Sequence, residues 1–381
     1  MSSPPRRDRI VELLRSAPLI DGHNDLLWAM REAKQADPPV ALDPSTSCPT
    51  LQTDFPRLRA GGVGGQFWSV YVPSDLPEHE AAVRTFEQIE ALYELVARHP
   101  DRLGLARTAD DVERVASSGR IASMIGVEGG HCIASSLGVL RALARAGAGY
   151  LTLTHNDDTP WADAATGEHP HGGLTAFGEQ VVRELNRLGM LVDLSHVSPD
   201  TMRQVTEVSE APVVFSHSSV RAIADVTRNV PDDVLEAVGR TGGVVMVTFV
   251  PEFLTAEGAS INREGWELAG RLRAEHPDDP SRVSAAVDAW FEEHDVAATV
   301  GDVADHIDHV RDFAGIEAIG VGGDFDGVGS MPAGLTDVSG YPALFGELES
   351  RGYTDEELSM IAGLNVLRLM RDAERVAAPY A

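Results

Sequence analysis

Hydrophobic residues along the chain form short continuous runs instead of a strict alternation with polar residues. Eight runs rich in β-branched residues predict strands that are buried on both faces, as in a parallel sheet. The predicted strands cover residues 18–25, 64–72, 121–130, 150–157, 191–198, 212–219, 242–250 and 318–327. Amphipathic helical patterns occur at 78–98, 137–146, 176–188, 199–208, 231–240, 284–313 and 354–373.

This alternation of strands and helices predicts an α/β protein with a (β/α)8 TIM barrel rather than a doubly wound sheet. No Gly-x-Gly-x-x-Gly pattern follows the first predicted strand, which argues against a dinucleotide-binding fold. The segments near 33–60 and 251–295 are polar and rich in proline, glycine and acidic residues, and we interpret them as loop or lid insertions. We predict one catalytic barrel domain over residues 1–381.

Charge and composition narrow the range of partners. The chain has 59 acidic and 31 basic residues, for a formal net charge of −28, which repels nucleic acids and anionic membrane surfaces. No hydrophobic run is long enough to span a bilayer, and no apolar signal core follows the basic N-terminus. Cys48 and Cys132 form neither a disulfide framework nor a metal-binding spacing. We expect a soluble, cytoplasmic protein.

Residues with metal-binding and catalytic chemistry cluster where the predicted strands end, which is where TIM barrels build their active sites. These histidines and acids are His23, Asp25, Glu128, His155, His196, His217, Asp324 and Asp326. A single histidine at a strand end is most often a core residue that forms a hydrogen bond with the backbone. The whole set at one rim is much harder to explain in that way. Imidazole and carboxylate groups are the ligands that zinc prefers.

The set is larger than one ion needs and therefore predicts a binuclear centre. His23 and Asp25 would hold one ion, and His196 and His217 the other. Many two-metal barrels use a carboxylated lysine as the bridge between the ions. The chain has a single lysine, Lys34, which is not at a strand end, so we expect the bridge to be a carboxylate. Glu128 is the best candidate because the two glycines after it permit a tight turn.

Two such ions would lower the pKa of a bridging water and produce a hydroxide nucleophile. Asp324 would carry the proton to the leaving group, although Asp326, two residues on, is equally placed by strand periodicity. His155 would polarise the scissile carbonyl or stabilise the oxyanion. Arg228, on the loop after the sixth predicted strand, could bind a substrate carboxylate through two parallel hydrogen bonds.

The motifs DGHND, GVEGG, LTHND, FSHSS, RNVPDD and GVGGDFDGV occur in that order. Together they resemble the membrane (renal) dipeptidase family, peptidase family M19. The resemblance implies a zinc-dependent barrel of the metal-dependent amidohydrolase type, usually a homodimer, that hydrolyses dipeptides. Many members of the family accept a C-terminal D-residue, and some open β-lactam rings.

The resemblance also implies a role for each candidate residue. It places two Zn²⁺ ions on His23, Asp25, Glu128, His196 and His217, with Glu128 and a hydroxide as bridges. It implies that Asp324, and not Asp326, is the catalytic aspartate. It also implies that His155 matches the family's histidine on the side of the scissile carbonyl. It implies that Arg228 binds the C-terminal carboxylate of the dipeptide.

Two features distinguish the chain from mammalian members of that family. We expect it to lack their anchor tail and their disulfide cysteines, as a soluble, bacterial-type member would. Phe253 stands where the mammalian proteins have a tyrosine near the site, which affects side-chain specificity. Two alternatives remain: a related binuclear hydrolase of lactones, cyclic amides or phosphoesters, and a non-catalytic metal- or peptide-binding protein.

Overall fold

The computed structural model describes residues 6–276, 279–294 and 296–378. Within these ranges the sheet has nine parallel strands: β1 (Leu19–Asn24), β2 (Val63–Tyr71), β3 (Leu103–Leu105), β4 (Ile121–Glu128), β5 (Ala148–Thr152), β6 (Leu191–Asp193), β7 (Val214–Phe215), β8 (Val244–Val247) and β9 (Ile319–Val321). Eight of them close a ring in the order β1-β2-β4-β5-β6-β7-β8-β9, and β9 pairs back to β1. The short β3 pairs with the first three residues of β4. The (β/α)8 TIM barrel is therefore confirmed.

The helices of the described ranges lie between and around these strands. They are α1 (Arg6–Ser16), α2 (Leu26–Gln35), α3 (Phe55–Gly61), α4 (Glu78–Arg98), α5 (Ala109–Ser117), α6 (Leu137–Arg145), α7 (Ala176–Leu188), α8 (Pro199–Val208), α9 (Asp232–Thr241), α10 (Ala256–Glu275), α11 (Pro280–Glu293), α12 (Val300–Ala314), α13 (Tyr341–Ser350), α14 (Asp355–Ser359) and α15 (Asn365–Val376). Because helices cover the outside of the ring, strands such as β4 and β8 are buried along their whole length. None of these helices is long and apolar enough to cross a membrane.

The predicted helix over 284–313 is in fact two helices. α11 ends at Glu293, and α12 begins after Thr299. The Thr299 side chain accepts from the amide of Asp302, and the Asp302 carboxylate accepts from the amide of Thr299, which is a capping box. This reciprocal cap starts a new helix inside the apolar pattern.

The segment near 251–295, which its composition predicts to be a loop or lid insertion, is mostly helical. α10 spans 20 residues there and packs against α11. The insertion near 33–60 is partly helical as well, because α2 continues to Gln35 and α3 begins at Phe55. The residues between these two helices are irregular.

Tyr150 on β5 positions part of the site from inside the barrel. Its ring fills space left by Gly126 on β4, where an added Cβ would lie 2.1 Å from the tyrosine ring. The Tyr150 hydroxyl reaches His23 on β1, which is not a neighbour of β5 in the ring. The side chain therefore crosses the interior of the barrel.

Candidate active site

The structure brings the predicted site residues together at the carboxyl ends of the strands. His23 lies on β1, Glu128 is the last residue of β4, and Asp25 immediately precedes α2. The other histidines and Asp324 follow their strands by two or three residues: His155, His196, His217 and Asp324. Three overlapping groups of these side chains have ligand atoms within 4.8 Å of one another.

Glu128 lies at the centre of the cluster. Its Oε1 is 3.1 Å from Nε2 of His196 and 3.5 Å from Nε2 of His217. Its other oxygen, Oε2, is 3.4 Å from Nε2 of His23 and accepts a hydrogen bond of 3.1 Å from the Ser69 hydroxyl. The two carboxylate oxygens therefore face different histidines.

His23 faces three carboxylates with one nitrogen. Its Nε2 lies 3.3 Å from Asp25 Oδ2, 3.4 Å from Glu128 Oε2 and 4.0 Å from Asp324 Oδ1. This nitrogen is buried and has no hydrogen-bond partner among the described residues. A buried imidazole nitrogen surrounded by carboxylates is a donor set that fits a divalent cation such as zinc.

Asp324 and Asp326 do not share one orientation. Both have left-handed backbone conformations, with φ of 59° and 64°, so the alternation expected in a strand does not apply to them. The Asp326 carboxylate accepts a hydrogen bond of 2.6 Å from the Gln52 amide, and its own amide donates to the Gln52 side chain at 2.7 Å. Asp324 instead faces His23. The structure thus places Asp324 in the cluster and ties Asp326 to a neighbouring loop.

Burial sets the protonation of three of the four histidines in the cluster. It lowers the pKa of His155 to about 4, and it holds the pKa values of His196 and His217 well below the usual range. Burial also opposes the charge of Glu128, but His23 and His196 hold the pKa of this carboxyl well below its usual value. His23 differs: burial opposes its charge as well, but the groups around it, Glu128 and Asp25 among them, raise its pKa well above the usual value. Metal binding requires neutral imidazoles and an ionised carboxylate, so a cation at this position would take the place of the His23 proton.

Asp324 differs from the other acids of the site. Burial raises the pKa of its carboxyl to about 7, and the nearby carboxylates of Asp25 and Glu128 act in the same direction. An acid with this pKa exchanges a proton readily at neutral pH.

His155 and Arg228 lie on the side of the cluster that faces His196. The His155 ring is 4.4 Å from the His196 ring, and its Nε2 is 3.8 Å from Glu128 Oε1. Arg228 is buried, its guanidinium lies 5.4 Å from the centre of the Phe253 ring, and it donates to the Ser218 hydroxyl at 3.5 Å. Burial lowers the pKa of Arg228 to about 10, so the side chain stays charged at neutral pH.

Sequence reasoning missed several residues that support the cluster: Ser69, Tyr150, Asp193 and Ser216. Tyr150 and His23 are 127 positions apart, and no local pattern connects them. Ser216 precedes His217 directly, but a serine beside a histidine is too common to identify a contact. Lys34, in contrast, is exposed in the last turn of α2, so it cannot bridge metals at the rim.

The model of the family described as "Membrane dipeptidase (Peptidase family M19)" matches residues 7–381. The chain belongs to this family. Its relatives include dipeptidase verJ of Clonostachys rogersoniana, which is 40% identical over an alignment of 383 positions. The alignment covers 97% of this chain and 87% of the relative. Dipeptidase 3 of Mus musculus is 40% identical over 381 residues, or 98% of this chain and 68% of that protein.

Solved structures share the fold of this M19 chain. The probable dipeptidase PvdM from Pseudomonas aeruginosa superposes with a TM-score of 0.81 at 23% identity, covering 98% of this chain and 99% of that one. A metallo peptidase from Rhodobacter sphaeroides, liganded with a phosphinate mimic of L-Ala-D-Ala, gives 0.78 at 24% identity, covering 93% and 99%. The predicted family is confirmed, and the protein is an M19 metallo-dipeptidase, a hydrolase that acts on dipeptides.

Proposed function

We propose that this dipeptidase is a binuclear zinc enzyme that cleaves dipeptides, including those with a C-terminal D-residue. The observation that carries the proposal is the position of Glu128. One of its oxygens faces His23, and the other faces His196 and His217. A carboxylate that bridges two ions needs this arrangement.

The side chains that would hold the ions are His23, Asp25, Glu128, His196 and His217. The unpartnered Nε2 of His23 and the neutral rings of His196 and His217 support their role as ligands. When bound, two zinc ions supply the chemistry that these side chains lack, a hydroxide nucleophile derived from water at neutral pH.

Asp324 would move the proton. Its carboxylate takes the proton of the attacking water and later gives it to the leaving amine. A pKa of about 7 suits both steps, because the group is a competent base before the attack and a competent acid after it. Asp326 is fixed by Gln52 and takes no part in this transfer.

Arg228 and His155 would bind the substrate. Arg228 is buried and charged, and it has no salt bridge within the described ranges, which leaves its guanidinium available for the C-terminal carboxylate of a dipeptide. His155 lies beside Glu128, where its ring would polarise the scissile carbonyl.

Support for D-residues comes from a structural neighbour. The Rhodobacter sphaeroides metallo peptidase was solved with a mimic of L-Ala-D-Ala. A homodimer, which the family resemblance implies, is part of the same proposal and can be checked by light scattering.

The test measures zinc content and the cleavage of L-Ala-L-Ala, L-Ala-D-Ala and their C-terminal amides. We expect about two zinc ions per chain. Capping the carboxylate should lower kcat/KM by roughly 10²-fold or more, the cost of leaving a buried charge without its partner. The Arg228→Gln variant should lose the same factor on free dipeptides and show no further loss on the amides.

Two outcomes would contradict the proposal. Fewer than two zinc ions per chain would exclude the binuclear centre. Equal turnover of free and amidated dipeptides, together with faster turnover of a lactone or phosphoester, would favour the related hydrolase that acts on those substrates.

A further inference from the structure

Asp193, the last residue of β6, is a buried carboxylate that accepts four hydrogen bonds. Its Oδ1 accepts from the backbone amides of Ser195 at 3.1 Å and Ser216 at 2.8 Å. Its Oδ2 accepts from the hydroxyls of Ser216 at 2.7 Å and Thr152 at 2.5 Å. The carboxylate thus joins the ends of β6 and β7, the two strands that lead to His196 and His217.

The Ser216 hydroxyl connects Asp193 to His217. Its oxygen lies 2.8 Å from Nδ1 of the His217 ring. The single hydroxyl proton is donated to Asp193, so the Ser216 oxygen accepts a hydrogen bond from Nδ1–H of the ring. Nε2 of His217 therefore carries the lone pair of the ring; it lies 3.5 Å from Glu128 Oε1 and 2.9 Å from Nε2 of His196.

We propose that Asp193 is a positioning residue for the metal centre. Acting through Ser216, it holds His217 in the tautomer whose Nε2 can bind a metal ion. This proposal rests on the proposed function, because it concerns a ligand of the binuclear site. Partners of this kind orient ligating histidines and increase their basicity.

The other two histidine ligands are connected differently. His23 Nδ1 lies 3.0 Å from the Tyr150 hydroxyl, which donates to the Gly22 carbonyl at 3.2 Å, so this chain of hydrogen bonds ends at a neutral group. His196 Nδ1 has no hydrogen-bond partner among the described residues. Of the three, His217 is the ring whose chain of hydrogen bonds ends at a carboxylate.

Asp193→Asn keeps the size of the side chain but reverses the direction of the hydrogen bonds that run from His217 through Ser216 to residue 193. The two backbone amides still need an acceptor, so they orient the new side chain with its oxygen toward them and its NH2 toward Ser216. The NH2 donates to the Ser216 hydroxyl, and the hydroxyl proton then turns to Nδ1 of His217. The ring must carry its own proton on Nε2, which blocks the lone pair that binds the metal.

The experiment measures zinc affinity by competition with a chromophoric chelator, and the visible spectrum of the cobalt-substituted protein. We expect Asp193→Asn to weaken one of the two zinc equivalents by roughly 10- to 100-fold and to change the cobalt spectrum. Ser216→Ala frees the ring to adopt either tautomer and should weaken zinc by less. The double variant Asp193→Asn/Ser216→Ala should bind zinc more tightly than Asp193→Asn alone, because the reversed hydroxyl is absent.

Asp21→Asn is the matched control. Asp21 is also fully buried, and its Oδ1 accepts from the amides of His23 at 3.0 Å and Gly323 at 2.9 Å. Its Oδ2 accepts from the hydroxyl of Tyr341 and not from a hydroxyl bonded to an imidazole. This variant should keep the zinc affinity of the wild type.

Each remaining outcome decides the proposal. Unchanged zinc affinity in Asp193→Asn, no recovery in the double variant, or an equal loss in Asp21→Asn overturns it while leaving the binuclear centre intact. A wild-type protein that binds no zinc overturns the proposed function and this proposal with it. If Asp193→Asn does not fold, as judged by circular dichroism, Ser216→Ala decides: weaker zinc binding supports the proposal, and unchanged binding overturns it.

Discussion

Asp324 and Asp326 are two residues apart, and their chemical roles should be separable by substitution. Asp324→Asn keeps the size of the side chain but removes its basicity. We expect kcat to fall by roughly 10²- to 10⁴-fold with both zinc ions retained, as for a lost general acid and base. Steady-state kinetics and metal analysis on the same preparation would check this.

Asp326→Asn is the control for that experiment. It leaves an oxygen that can accept from the Gln52 amide, so kcat should stay within a few-fold of the wild type. A large loss of kcat in this variant, with little loss in Asp324→Asn, would show that the two roles are reversed.

Residue patterns could not make this distinction. The motif Asp-Phe-Asp predicts two acids of one orientation if the strand continues, but β9 ends at Val321 and both aspartates adopt left-handed backbone. The partner that removes Asp326 from the site, Gln52, lies 274 positions away. His23, Glu128 and His217, in contrast, follow strongly hydrophobic runs, and their convergence follows from the barrel alone.

At the scale of elements, α12 is connected to the rim of the barrel by His306. This buried histidine accepts at Nδ1 from the Val220 amide at 2.9 Å and donates from Nε2 to the Leu254 carbonyl at 3.1 Å. The first contact fixes the loop after β7, which leads to Arg228. Only the neutral ring can make both hydrogen bonds at once, because a proton on Nδ1 would remove the acceptor for the Val220 amide.

We predict a pH-dependent contribution of His306 to stability. Burial lowers its pKa from 6.5 to about 4. Between these values the unfolded chain binds a proton that the folded protein does not, so the free energy of unfolding falls as the pH drops through this range. The contribution is fully present above about pH 6.5 and amounts to about 3 kcal/mol. It is lost as the pH approaches the folded pKa of about 4.

Urea unfolding between pH 4 and 7 would measure this contribution. His306→Gln should be less stable than the wild type at pH 7, with a flatter dependence of stability on pH. His79→Gln, an exposed substitution on α4, should leave the dependence unchanged. Parallel curves for the wild type and His306→Gln would contradict the assignment.

In the 251–295 segment, the glycine-rich composition predicts loops, whereas the structure has the helices α10 and α11. Its glycines indicated loops, but two of them are packing positions inside α10. A Cβ on Gly265 would lie 2.6 Å from the Phe291 ring of α11, and one on Gly258 would lie 2.7 Å from the Pro251 carbonyl. The glycines permit close approach of neighbouring elements, which only the tertiary structure reveals.

At the scale of the whole molecule, the cluster at the rim gathers carboxylates that repel one another without a cation. Zinc should therefore stabilise the fold, by about 2.7 kcal/mol for each site at a free concentration 100 times its dissociation constant. Calorimetry with buffered zinc should show a melting temperature that rises with the free concentration. A variant with both His23 and His217 changed to alanine should show a much smaller rise, and an equal rise would contradict binding at this cluster.

The net charge of −28 gives a separate prediction for the whole chain. Repulsion among surface acids destabilises the compact state, and salt screens it as the Debye length shortens from about 10 Å at 0.1 M to about 3 Å at 1 M. The melting temperature of the zinc-saturated protein should rise over this range of sodium chloride. Sucrose at matched osmolality controls for solute exclusion, and a melting temperature that falls with salt would indicate that surface ion pairs dominate.

The overall fold was the most predictable level, because each barrel strand is a hydrophobic run buried on both faces. All eight ring strands fall within or overlap the predicted runs. The ninth, β3, has three residues and is too short to produce a pattern. The pairing of β2 with β4, which completes the ring, is expected because eight strand–helix units form a closed barrel. The contacts of side chains that cross the interior, such as Tyr150, depend on how the strands are placed in three dimensions.

Lys34 has a practical consequence for handling the enzyme. It is the only lysine side chain of the sequence, it is exposed, and it lies in the last turn of α2, whose first turn follows Asp25. The helix separates the two by roughly 14 Å at 1.5 Å per residue. Among side chains, amine-directed coupling would therefore modify Lys34 alone, and a dye attached there would leave the catalytic rim unmodified.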